Sequence, residues 1–321
     1  FRAPVPDGHR LEGSGIRVEL AAVKAANAWD VLLSKGTVRL PGDGERAFRI
    51  RELHCRAAAE EIFLNHGELK MGEGTLDLEG EMNLENHQWH LDMYVSDLPV
   101  KDWIKEDWKK RLLGNVHGEV EWRGERDGDM VQTGRLEIRD GILQALPVLD
   151  SIAEHTRTER FRRLVLSRAE GQFEKSGRKL VCRNVLLESA GLLRLKGSLI
   201  VDHERHPDGE LEGNFQMGVA ANALKWIPGA RKRVFTEERS GFHWTTLGVK
   251  GTVSQPEEDL SARLKSAATM ALVEETPRVI LEKSTEMAAE SGRLLEETVE
   301  GVKNVIDRGK RFIPFFGGNE R

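Results

Sequence analysis

The chain is poor in the residues that staple, break or anchor a protein. It has two cysteines, Cys55 and Cys182, ten prolines and one tyrosine in 321 residues. Two cysteines in no CxxC or metal-ligand spacing exclude a disulfide-rich scaffold and a thiolate zinc site. A single bridge between them stays open at this point, beside the reading of two half-buried strand cysteines. No run approaches the ~18 consecutive apolar residues of a membrane-spanning helix, and no signal peptide is present. The chain opens on Phe1 rather than Met, so the expectation is a processed or excised piece of a longer parent. An excess of positive charge is missing too. A net charge of −5 and a pI near 6.1 argue against bulk nucleic-acid binding, and no nucleic-acid partner is expected.

With 39% hydrophobic and 31% charged residues the chain is too apolar for disorder. Its 32 glycines suit tight hairpins. The dominant pattern is alternation with a period of two. Leu76, Leu78, Gly80, Met82 and Leu84 fall on one face of a strand, and Asp77, Glu79, Glu81, Asn83 and Glu85 on the other. After a turn at Glu85–His87, Trp89, Leu91, Met93 and Val95 repeat the pattern, and Val116, Gly118, Val120 and Trp122 repeat it again. From Arg162 to Val219 a meander of four or five strands is expected, with Leu193, Leu195, Gly197, Leu199 and Val201 on one face. A last strand is expected over Phe242–Val253. Strands with one apolar and one wet face make an antiparallel sheet.

Three helices are expected. One spans Val100–Leu113, with Gly114 as its C-cap, and a short one covers Leu143–Thr156. From about Asp259 to Arg311 the alternation stops, and seven-residue spacings such as Ile280, Met287 and Leu294 indicate a long amphipathic helix. A domain boundary is placed near Gln255–Pro256. This gives a β-sheet domain over residues 1–255 and a helical C-terminal tail over residues 256–321.

Candidate chemistry is sparse. His87 and His90 in HQWH are three apart, which on a strand puts them on opposite faces, so no metal site is assigned. Gly72, Gly74 and Gly80 lack the helix and the Lys-Ser/Thr of a phosphate loop. Asp127-Gly128-Asp129 and Gly42-Asp43-Gly44-Glu45 are acidic turns with too few ligands for calcium. There is no G-x-S-x-G elbow, no carboxylate pair stands out, and neither an enzyme nor a cofactor is expected. The arginines from Arg157 to Arg168 read as a solvated helix end and strand face, or as contacts to phosphate head groups or an acidic partner. Trp103 and Trp108 read as plugs at the end of the sheet, or as interfacial anchors. Phe312, Ile313, Phe315 and Phe316, beside Lys310 and Arg311, read as a membrane-interface anchor or as a helix end packing on the sheet.

The ordered series GRLEIRDGIL, LPVLDSIAEHTRTERFRRLVLSRAEGQFEKSGRKLVCRNVLLESAGLLRLKGSLIVD, GELEGNFQMGV, IPGARKRVF and GFHWTTLGVKGTVSQPEEDLSARL resembles the C-terminal region of AsmA-like proteins. That bacterial envelope family includes the TamB-type β-groove proteins. The earlier WKKRLLGNVHGEVEWRG also looks like a family segment. The likeness spans about Trp103–Leu264. The chain departs from the family in having no N-terminal transmembrane anchor and in its tail after Leu264. The resemblance implies a curved, taco-like antiparallel meander with an apolar concave face. It also implies a periplasmic protein, anchored in the inner membrane in its full-length form, that carries phospholipid or supports outer-membrane assembly.

The fold expectation is therefore mainly β, a curved antiparallel meander with short helices and a long C-terminal amphipathic helix. The lipid-facing residues are expected to be Leu76, Leu78, Met82, Leu84, Leu193, Leu195, Leu199 and Val201. The partners are lipid acyl chains and an envelope protein docked through the C-terminal helix. The other reading is a structural β-protein whose apolar face is a closed core and whose helix serves oligomerisation or docking.

Overall fold

The computed structural model describes residues 2–4, 10–24, 27–40, 46–104, 106–125, 130–146, 149–150, 152–153, 158–226 and 229–271. Nineteen strands are found among them. The first nine are β1 (Arg2–Pro4), β2 (Arg10–Ser14), β3 (Arg17–Val23), β4 (Ala28–Ser34), β5 (Thr37–Leu40), β6 (Arg46–Ala57), β7 (Glu61–Met71), β8 (Gly74–Asn83) and β9 (Trp89–Pro99). Next come β10 (Leu112–Gly124), β11 (Val131–Gln144), β12 (Arg163–Val165), β13 (Arg168–Ser176) and β14 (Lys179–Ser189). The last are β15 (Leu193–Asp202), β16 (Glu210–Ala220), β17 (Glu237–Arg239), β18 (Phe242–Gly251) and β19 (Pro256–Glu258).

All of them join one open sheet, and every pairing is antiparallel. Strands β6 to β11 form an uninterrupted meander, and β13 to β16 form another. The two meet where β11 pairs with β13 along Val131–Glu137 and with the short β12 along Ile142–Gln144. At one side of the sheet the long β6 pairs with β5 through its first residues and with β4 through its last. At the other side β18 pairs with β16, and its free edge carries β17 and β19.

The longest connections gather at one end of the strands. The hairpin connections after β8, β13 and β15 lie at the opposite end, and the tight turns after β7 and β14 lie with the long links. Those links follow β9, β11 and β16, and they bring short helical turns and apolar side chains. Around them sits the largest core cluster, in which Phe161, Leu164, Val219, Leu224, Phe235 and Leu260 are sealed from solvent. Each such side chain contributes about 1.5–3 kcal/mol by leaving water. A second cluster joins Phe48, Leu76, Val95, Leu98 and Val120, with Trp103 packed against it, its ring 6.0 Å from that of Phe48.

Several expected elements are corrected. The Val100–Leu113 helix is a 3-10 turn at Val100–Asp102 followed by one α turn at Glu106–Lys109. Leu112 and Leu113 already belong to β10, because both pair with β11 and Leu112 packs onto the core. Gly114 is no C-cap. At φ +129 it lies opposite the bulge formed by Asp140 and Gly141. Leu143 is in β11 rather than in a helix; among the described residues of that stretch 149–150 and 152–153 are helical, and of these Leu149, Ile152 and Ala153 are buried. Phe242–Gly251 is not the last strand, since β19 still pairs with it.

Two compact units are distinguished, Phe1–Ala268 and Thr269–Arg321. The first runs past Gln255–Pro256 because β19 completes the sheet edge and a helix begins at residue 260. Glu258 accepts hydrogen bonds from the amides of Leu260 and Ser261, satisfying the first free N–H groups of that helix. Leu260, Leu264 and Ala267 form the stripe it sends into the core. Helix is described over residues 260–271. The remainder of the expected long helix, with Phe312, Ile313, Phe315 and Phe316, lies outside the described residues.

Candidate functional site

The register of the strands lines up one row of side chains across almost the whole sheet. From β3 it passes through Val18, Leu33, Leu53, Gly67, Leu78 and Met93 to Val120 on β10. It continues through Gly134, Phe173, Cys182, Leu199 and Gly213 to Val249 on β18. Each member is the direct cross-strand partner of the next, so all share one face. None carries a charge or a hydrogen-bonding amide or hydroxyl side chain. At a strand spacing of about 4.8 Å the row is roughly 55–60 Å long.

Seven of the eight expected residues fall on this face. Leu78 and Leu199 are in the row itself. Leu76 lies one row toward the helical end, paired with Leu69 and Val95. Leu195 and Leu193 also lie on that side, paired with Met217 and Val219. Val201 lies on the hairpin side between Leu180 and Leu211, and Met82 lies there between Ile62 and Trp89. Leu84 is beyond the end of β8, in the turn, and is exposed. Met93, Val120, Phe173 and Cys182 are equal members that the expected set omitted. Met93 and Val120 sit in plainly alternating runs, whereas Phe173 is a lone apolar residue between Gln172 and Glu174.

Cover over the face is graded. At the helical end Leu76 and Leu193 are both 4% exposed. In the central row Leu33, Leu53, Leu78, Met93, Phe173 and Leu199 are half-buried. At the sheet's first edge Val18 is 54% exposed. On β4 to β9 the face therefore changes from filled core to accessible apolar wall along the strands, whereas on β15 and β16 Val201 and Leu211, on the hairpin side, are buried at 7% exposure each. Trp29 and Trp89 stand at its hairpin side, linked by the row Trp29, Ala57, Ile62, Met82 and Trp89. Trp29 is 53% exposed.

The opposite face is charged. Direct pairs there include Asp77 with Tyr94, Glu119 with Arg135, and Gln172 with Arg183. Three hollows of about 520, 570 and 700 Å³ take their polar side chains from this face. The first is bounded by Tyr94, Glu119, Arg135 and Arg183, and the third by Lys196, Gln216 and Thr246.

Cys55 and Cys182 are unpaired and half-buried on the apolar face, in different rows and on β6 and β14. Burial pushes both thiols above their ordinary pKa, so neither is primed as a nucleophile. Within the basic run, Arg162 contacts Asp150 and Glu159, and Arg168 contacts Glu170. Trp108 donates to the Val253 carbonyl at 3.2 Å, which ties the β9–β10 link to the segment that follows β18. His87 occupies the β8–β9 turn at φ +59, away from His90 on β9. Among the described residues the group able to hold a metal ion is His90 with Asp92 and Glu121, on the charged face. No described helix is long and apolar enough to cross a membrane. Comparison with family models, with curated proteins and with solved structures finds no match for this chain.

Proposed function

We propose that the protein is a non-catalytic envelope protein that binds lipid acyl chains along the apolar face of its sheet. The sheet serves as the wall of a curved, taco-like groove. The observation that carries this reading is the unbroken apolar row from Val18 to Val249, half-buried along most of its length. Leaving water is worth about 0.8 kcal/mol per CH₂, so an uncharged wall holds a chain without any polar site. The row's roughly 55–60 Å exceeds the ~30 Å hydrocarbon thickness of a bilayer, long enough to pass a chain along as well as to hold it. Tryptophans at the hairpin side suit the boundary between hydrocarbon and head group. Phospholipid as the ligand, a periplasmic setting and an envelope partner engaged through the C-terminal segment belong to the same proposal and rest on the sequence resemblance.

The test is mass spectrometry of organic extracts from purified protein. Wild type is expected to carry lipid. Leu78→Glu and Leu199→Glu are expected to lose it while keeping the wild-type circular dichroism spectrum. Equal lipid content in the folded variants and the wild type would remove the proposal.

A second reading is favoured by the filled cluster around Phe161, Phe235 and Leu260. If such packing extended over the whole face, the sheet would be a structural scaffold. Alkylation of Cys182 separates the two: on an open wall, phospholipid vesicles slow it, and in a closed core they leave it unchanged.

A further inference from the structure

Asp92 and Glu121 are direct partners across the β9–β10 ladder, and like charges so placed destabilise a sheet. Glu79 stands directly opposite Asp92 on the β8 side, and Glu81 opposite His90. The permanent positive charge among them is Arg123, the partner of His90, whose Nη2 contacts Glu121 Oε1. Four carboxylates therefore neighbour one another on this patch of the ladder, and the guanidinium contacts one of them, Glu121. His90 precedes Asp92 by two residues, on the same face, with Nε2 3.0 Å from Glu121 Oε1 and 3.3 Å from Asp92 Oδ1. That nitrogen is shielded from solvent and makes no hydrogen bond to either oxygen. The three donor atoms lie within 4.8 Å of one another.

We propose that His90, Asp92 and Glu121 bind a divalent transition-metal ion of the Zn²⁺ type. Neighbouring donors about 2.0–2.2 Å from one ion lie roughly 3 Å apart, the separation that Nε2 keeps from both carboxylates. One imidazole nitrogen with two carboxylate oxygens suits zinc better than magnesium or calcium, which take oxygen alone. The cation would relieve the Asp92–Glu121 repulsion, and two adjacent strands fix the ligand positions. Three protein ligands leave a place for water or an outside group. The competing arrangement is an imidazolium and Arg123 sharing the same oxygens. Arg123 has a side chain 70% exposed and is free to swing away. Metal and guanidinium compete for Glu121, so removing Arg123 should strengthen binding.

The test is titration of the chelator-stripped full chain with Zn²⁺ against a chromogenic chelator. One equivalent is expected to bind. Affinity should fall about tenfold or more in His90→Ala and in Asp92→Asn, rise in Arg123→Ala, and stay unchanged in His66→Ala and His87→Ala. Asp92→Asn is nearly isosteric and carries the test if His90→Ala does not fold. Failure to bind Zn²⁺, binding that survives Asp92→Asn, or binding that is lost with His66→Ala would overturn the assignment.

Discussion

Phe173 lies across Gly134, its direct partner on β11, so closely that a Cβ on residue 134 would stand 2.7 Å from the ring's Cε1 and 2.5 Å from the Glu119 carbonyl oxygen. The missing side chain lets the aromatic ring fill the central row where the two meanders join. Gly134→Ala should destabilise by about 1–3 kcal/mol, because the carbonyl is backbone and cannot step aside as a side chain can. Urea unfolding checks this: the midpoint falls and the slope stays. Phe173→Ala should cost about 3–5 kcal/mol at most, less to the extent that the ring is half-buried.

Cys182 sits between Phe173 and Leu199 in the same row. Its thiol and that of Cys55 are raised by burial above the ordinary 9.0. A raised thiol pKa means that folding favours the neutral form. The resulting stabilisation is complete below the unfolded value and is lost as pH rises through the folded values. Between about pH 8 and about pH 10.5 the wild type should therefore lose more of its urea midpoint than the Cys55→Ala, Cys182→Ala double variant. Equal losses would show that the thiols do not drive the alkaline limb.

Much of this face is readable wherever the alternation is clean. On β8, Leu76, Leu78 and Met82 interleave with Asp77, Glu79 and Glu81, and on β15 Leu193 to Val201 do the same, so both faces are assigned correctly from local pattern. The pattern fails where a bulge resets its phase. Asp97, Asp140 and Asn184, at φ +55, +51 and +53, each mark a register shift. Asp and Asn tolerate that left-handed conformation. Beyond Asp97 the inward residue is Leu98, three after Val95, which simple alternation assigns to the wet face. The Val100–Leu113 stretch misleads for another reason. Ile104, Trp108 and Leu112 are spaced as on a helix, yet strand pairing claims Leu112. The His90–Asp92–Glu121 group needs the β9–β10 register, and that register is set across the intervening turns rather than by either strand alone.

Asp202, at the end of β15, is 7% exposed and accepts hydrogen bonds from the amides of Glu204 at 2.9 Å and Arg205 at 3.2 Å. Burial works against its charge, but these amides and the charges of Arg205 and Lys179 outweigh it and hold the carboxyl below 3.8. A depressed pKa stabilises the fold above the unfolded value, and that contribution is lost as pH falls through the folded one. Asp202→Asn keeps an oxygen acceptor for the amides and loses the charge. It should lower stability at neutral pH and flatten its decline below about pH 4, as followed by thermal unfolding against pH. An unchanged acid limb would assign that limb to other carboxylates.

Asn184 sets which residues of β14 reach the apolar face. Cys182 pairs with Leu199, and after the bulge Val185 pairs with Gly197 and Leu187 with Leu195. Arg183 and Asn184 together stand opposite Ser198, and the Asn184 amide donates to Gln172 Oε1 at 2.9 Å. Strict alternation from Cys182 would instead turn Asn184 and Leu186 inward. It would take Leu187 away from the core cluster it packs against. Asn184→Gly keeps the left-handed conformation and should cost little beyond the lost hydrogen bond. Asn184→Val places a β-branched residue there and should cost about 1–2 kcal/mol more. Deleting Asn184 should cost more than either, because every later side chain of β14 exchanges faces. The order Gly, Val, deletion in urea midpoints tests the bulge as the element that sets phase. A deletion as stable as Asn184→Gly would mean that pairing with β15 holds Leu187 inward without it.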